Sequence, residues 1–92
     1  MSYITDLADK IRSQVPEALI PAESTSLFLM YAVLARAKGA AVTAADVHDA
    51  WAAWMESSGR EHDAIRPFES LSDDTKDEDL PFVDAIRKAC DD

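Results

Sequence analysis

Wherever apolar residues cluster in this chain they recur at helical spacing, and nowhere do they alternate as a strand requires. Ile4, Leu7, Ala8, Ile11 and Val15 fall on one face of a helix over residues 2–14. Ser2 is a fitting N-cap, and Asp6 sits near the positive end of the helix dipole. Pro16 lacks an N–H and restricts Val15, so the helix stops there. The connector from Pro16 to Pro21 has room for one helical turn. A second helix is expected over residues 23–38, started by Glu23 and Ser24. Its Leu27, Phe28, Leu29, Met30, Tyr31, Val33 and Leu34 are apolar nearly all round, which predicts burial on several sides and a central place in the fold. Arg36 and Lys38 complement its C-terminal dipole, and Gly39 suits the position after it.

The third helix has the clearest start. Thr43-Ala44-Ala45-Asp46 has the form of a capping box, with Asp in place of the usual Glu or Gln. Val47, Ala50, Trp51, Trp54, Met55 and Ser58 form its inward stripe, and Gly59 ends it. Residues 60–72 have no period but contain Ile65, Phe68 and Leu71, which predicts a loop that packs down over the helices. Ser72 can cap a short turn through Asp73, Asp74, Thr75 and Lys76. A last helix follows, with Pro81 in its first turn, Asp77 or Asp79 as its cap, and Phe82, Val83, Ile86 and Cys90 as its apolar face. The expected fold is therefore all-α: one compact bundle of about four helices over residues 1–92, with an ordered loop before the last helix.

Charge narrows the function. The chain carries 18 acidic and 9 basic side chains, a net −9. That argues against nucleic-acid binding, which depends on Lys and Arg displacing counterions from phosphates. The excess lies mostly after residue 54, and it is densest in Glu69, Asp73, Asp74, Asp77, Glu78 and Asp79, opposed only by Lys76. Such a run reads first as a solvated, helix-capping turn. It also reads as a docking surface for a basic partner, or as a mimic of a phosphate backbone. It lacks the spacing and the glycine of a calcium loop. Abundant Ala and absent Asn suggest a high-GC source. The lone Cys90 fits a reducing cytoplasm. The N-terminus has no signal-peptide pattern, and the apolar run Leu27 to Ala35 is too short for a membrane span, so a cytoplasmic protein away from membranes is expected.

No catalytic constellation can be assembled. His48-Asp49 and His62-Asp63 are too few and wrongly spaced for a metal centre. Structural roles are expected instead: a satisfied, half-buried imidazole at His48 and a backbone hydrogen bond anchoring the loop at His62. Cys90 is flanked by Asp91 and Asp92, which oppose a thiolate. There is no Gly-rich phosphate loop and no G-x-S-x-G. No enzyme activity, metal or cofactor is expected. Trp51 and Trp54 lie on adjoining parts of one helical face and read as core, or as an exposed anchor at a groove or dimer contact, a homodimer being one outcome open to so small a chain.

One stretch has a familiar order. Val47-His48-Asp49-Ala50-Trp51, Trp54, His62, Arg66-Pro67-Phe68-Glu69-Ser70-Leu71, Lys76-x-x-Asp79 and Phe82-Val83-x-x-Ile86 together resemble small proteins of actinobacteria and their phages. The same order is similar to the RyR-type repeat, in which a helix bearing an aromatic leads through a loop to Pro-aromatic-x-x-Leu and a final helix. The likeness covers residues 43–90. It implies an all-helical module that binds partners or ligands in a groove beside Trp51, Trp54, His62, Pro67 and Phe68. The expected function is a non-catalytic interaction protein, such as a phage or bacterial protein that modulates a host protein. Asp73, Asp74, Asp77 and Asp79 would steer a basic partner, and a Trp, Phe68 or Ile65 would anchor it. The alternatives are a small-ligand or nucleotide-binding module, which needs Arg60 or Arg66 in an aromatic groove, and an acidic DNA mimic.

Overall fold

Among the described residues, helical periodicity is realised as five α-helices, the first four linked through single 3-10 turns. A computed structural model describes residues 2–91; Met1 and Asp92, the ends of the expected domain, lie outside them. The helices are α1 (Tyr3–Ser13), α2 (Thr25–Lys38), α3 (Ala44–Ser57), α4 (Asp73–Asp77) and α5 (Leu80–Asp91), with 3-10 turns at Glu17–Leu19, Gly39–Ala41 and Phe68–Ser70. No strand occurs among the described residues. The four main helices are as expected, and α4 is the short turn begun by Ser72.

Local chemistry sets the ends. The Ser2 hydroxyl accepts the Thr5 N–H at 3.1 Å, and the Ser72 hydroxyl accepts the Thr75 N–H at 3.3 Å. The Asp46 N–H donates to Thr43 Oγ1 at 3.3 Å, and the Thr43 N–H donates to Asp46 Oδ2 at 2.9 Å, so the box closes with Asp as predicted. Lys38 Nζ reaches the other oxygen of Asp46 at 2.8 Å, tying the end of α2 to the start of α3. At the end of α3 the Arg60 N–H returns to the Met55 carbonyl and the Gly59 N–H to that of Glu56, with Gly59 at φ 72°. This is the Schellman closure that only a residue tolerant of positive φ makes without strain. Ser24 occupies the cap position of α2, but its hydroxyl is buried without a hydrogen-bond partner. Glu23 before it takes φ 53°, a rare region for a branched-chain or long side chain.

Helix α2 is the centre, packed on α1, α3 and α5. Leu27, Phe28, Tyr31 and Ala32 of α2 are buried with Ile11, Val42, Val47 and Ile86. Each large apolar side chain taken fully from water contributes about 1.5–3 kcal/mol. Two expectations of the core need correcting. Val33 is 57% exposed, because α2 is covered on three sides and its fourth faces solvent. Cys90 is exposed, and Ala85 and Ala89 complete the inner face of α5, since the close contact of α5 with α1 and the Gly39–Ala41 turn admits small side chains. Ile65, Phe68 and Leu71 are half-buried, so the loop does pack down. No helix of the described residues is long and apolar enough to cross a membrane.

Candidate binding cleft

The meeting point of α2, α3, α5 and the two long connectors leaves a cleft of about 310 Å³. Its floor and walls come from Tyr31 of α2, His48 and Trp51 of α3, His62 of the loop, Glu78 and Asp79 between α4 and α5, and Phe82 of α5, with Leu19 among the residues at its edge. Its size lies at the small end of ligand-binding cavities.

The loop is fastened to the helices through His48, which is 2% exposed. His48 Nε2 lies 2.8 Å from the Arg66 carbonyl, an acceptor only, so Nε2 carries a proton and donates it. The ring sits between Trp51 and Phe68, at centroid distances of 5.5 and 6.1 Å. Its other nitrogen, Nδ1, turns to Asp79 Oδ2 at 3.8 Å, too far for a hydrogen bond. His62 Nδ1 accepts the Ala64 N–H at 3.0 Å, the backbone anchor expected of it, and its ring stands edge-on to Trp51 at 5.4 Å.

Asp79 behaves otherwise than a helix cap. Its main-chain carbonyl accepts the N–H groups of Phe82 and Val83, both at 3.1 Å, and so starts α5. Its carboxylate accepts no hydrogen bond among the described residues and lies against His48. Burial pushes its pKa up from 3.8 to about 6; the nearby His48 opposes the rise and Glu78 adds to it. Tyr31 is 1% exposed, and burial, with the Asp79 charge, holds its hydroxyl well above the usual phenol range. That hydroxyl also makes no hydrogen bond among the described residues.

The sequence-predicted residues divide. Trp51, His62 and Asp79 come together in the cleft. Ile65, Arg66, Pro67 and Phe68 line a shallower groove on the outer side of the loop, with Asp49, Ala52 and Glu69 of their surroundings. Asp73, Asp74 and Asp77 are exposed on α4 and outside the cleft. Trp54 is 3% exposed, so it fills the core and is no surface anchor. Its indole N–H donates to Ser26 Oγ at 3.0 Å, and the Arg60 guanidinium covers its ring at 4.5 Å. Arg66 spends its Nε–H on Ser70 Oγ at 2.9 Å. Neither arginine lines the cleft. Glu78, part of the acidic run, also lines the cleft, whereas Tyr31, His48 and Phe82 are cleft residues that the sequence did not mark as binding residues. Only His48 carried a local signal, three residues before Trp51 on the same helix face.

No three His, Cys, Asp or Glu side chains gather as metal ligands among the described residues. No curated protein and no solved structure matches the chain. The profile of one domain family, described as a domain of unknown function, matches residues 2–91 and so takes in α1 and α2 along with the loop and cleft. The chain therefore belongs to the family of domains of unknown function DUF7701.

Proposed function

We propose that this domain is a non-catalytic interaction module that docks on a basic surface of a protein partner, using the cleft mouth and the neighbouring α4. The observation that carries this reading is the make-up of the cleft: aromatic walls, the two carboxylates of Glu78 and Asp79, and no Lys or Arg among its lining residues. Leu19, 46% exposed, offers apolar contact at the edge of the cleft that holds these carboxylates. The exposed carboxylates of Asp73, Asp74 and Asp77 raise the encounter rate with a positive surface. The likeness of residues 43–90 to RyR-type repeats supports a binding role, since Trp51 and His62, which carry it, face the cleft. Its likeness to actinobacterial and phage proteins points to a bacterial host protein as the partner.

The test starts from immobilised chain in an actinobacterial lysate at low salt. The retained protein is purified, and its association is measured with wild type and with the triple variant Asp73→Asn, Asp74→Asn, Asp77→Asn. Association of the variant is expected to slow about tenfold at low salt and to converge with wild type at high salt. Equal rates at low salt would remove the acidic face from the interaction.

A further inference from the structure

We infer that the cleft is a socket for a guanidinium group, the end of an arginine side chain on the partner. The inference rests on the docking reading above and narrows it to one side-chain chemistry. It begins with how the chain treats its own aromatic rings. Arg12 lies over Phe28 at 5.8 Å, Arg36 over Tyr3 at 5.3 Å, Arg60 over Trp54 at 4.5 Å and Lys76 over Phe68 at 5.3 Å. Trp51 and Phe82, which line the cleft together with Glu78 and Asp79, receive no such cation from the described residues. An aromatic lining with carboxylates and no Lys or Arg is matched by a cation from outside.

The floor specifies which cation. Tyr31 is 1% exposed, lines the cleft, and leaves its hydroxyl without a partner. The Asp79 carboxylate accepts no hydrogen bond. His48 Nε2 is held by the Arg66 carbonyl, and Nδ1 stands 3.8 Å from Asp79 Oδ2, so the ring gives the carboxylate no hydrogen bond. The Asp79 carboxylate and the Tyr31 hydroxyl belong to residues that line the cleft, and neither is hydrogen-bonded among the described residues, so each is open to a donor. The carboxylate only accepts, and the hydroxyl can accept. The complement is a flat, positively charged group with several N–H donors in one plane. A guanidinium has five, is weakly hydrated, and stacks on aromatic faces. An ammonium has three donors around a point charge and loses more hydration on entry. An anion meets Glu78 and Asp79, and an apolar group gives the carboxylate and the hydroxyl no donor.

The test is a titration of the ¹⁵N-labelled chain at pH 8 with ethylguanidinium, ethylammonium and N-ethylurea, followed by NMR. Ethylguanidinium is expected to give saturable shifts at the Trp51 indole N–H and at the Ala64 and Phe82 amides, with at least about tenfold tighter binding than ethylammonium. N-ethylurea, flat but neutral, is expected to give none. Asp79→Asn is expected to weaken ethylguanidinium about tenfold, and Tyr31→Phe several-fold, with the remaining spectrum folded in both. Asp9→Asn, exposed on α1 and outside the cleft, is expected to leave the affinity unchanged. No saturable shift in wild type, equal binding of ethylammonium, or unchanged affinity in Asp79→Asn would each overturn the socket. If partner association depends on α4 while ethylguanidinium stays out of the cleft, the socket is wrong and the docking reading stands. If ethylguanidinium binds but Asp79→Asn leaves the partner affinity unchanged, the assignment to a partner arginine is overturned.

Discussion

Replacing Asp79 with Asn should make the free protein more stable at neutral and alkaline pH. The change keeps the shape of the side chain and the main-chain carbonyl that starts α5. It removes a half-buried negative charge with no hydrogen-bond donor. The folded-state pKa of Asp79 is raised from 3.8 to about 6, so between these values the folded chain holds a proton that the unfolded chain has lost. In that window stability falls as pH rises, and above it the full cost is present. A displacement of about two pKa units corresponds to roughly 3 kcal/mol. One side of the carboxylate faces solvent in the open cleft, which screens it, so about 1–2 kcal/mol is the expected effect. Urea unfolding of both proteins across pH 4 to pH 8 measures it. The variant should exceed wild type by that amount at pH 8, and the two curves should meet near pH 4. A variant less stable at pH 8 would refute the account, because the charge would then have a stabilising partner in the folded state, and so would a difference independent of pH, because folding would then leave the pKa of Asp79 unshifted.

Asp46 should respond with the opposite sign. The Lys38 hydrogen bond, with those of the capping box, holds its pKa below the usual 3.8, so its contribution is present above that value and is lost as pH falls through the lowered one. Asp46→Asn should cost about 1 kcal/mol at pH 7 and converge with wild type in acid, read by the same urea curves. Leu27→Ala should cost about 2–5 kcal/mol, because Leu27 is fully buried. Val33→Ala, on the exposed side of the same helix, should change stability by less than about 0.5 kcal/mol in chemical denaturation. Gly39→Ala should lower thermal stability by about 1–3 kcal/mol, although a Cβ there meets nothing within 4 Å. The cause is the backbone: Gly39 takes φ 56° and ψ −134°, which an L side chain rarely adopts.

Helix ends were legible because they are written within a few residues. Thr43 and Asp46 form a cap with each other, and Ser72 needs only Thr75. Burial was less legible where it depends on which neighbours arrive. Trp51 and Trp54 share a stripe, yet Trp54 is sealed by Ser26 of α2 and by Arg60, while Trp51 is left at the cleft. Val33 and Tyr31 sit in the same apolar run. One faces solvent, and the other brings a hydroxyl to a polar floor, because α5 covers only one of these sides. His48 reads as structural from its position in α3, and its bond to Arg66 is structural. The role of Nδ1 emerges only when Asp79 is brought to it from the start of α5. Asp79 itself reads as a cap, and its main chain does start the helix; the direction of its side chain is a tertiary matter that no local pattern encodes.

The acidic excess therefore acts at two ranges. Asp73, Asp74 and Asp77 are exposed on a five-residue helix, where counterions screen their field within about 8–10 Å at moderate salt. They cannot fix the geometry of a partner, so their removal should act on association and on its salt dependence. Asp79 sits among Tyr31, His48 and Trp51, partly withdrawn from that screening. A donor placed there replaces water in a confined site, and its loss should appear as faster dissociation with little change in the rate of encounter. Kinetics of one complex with substitutions at the two places thus separates the surface that attracts from the cleft that holds. Equal effects on association at both places would mean that the cleft contributes charge alone.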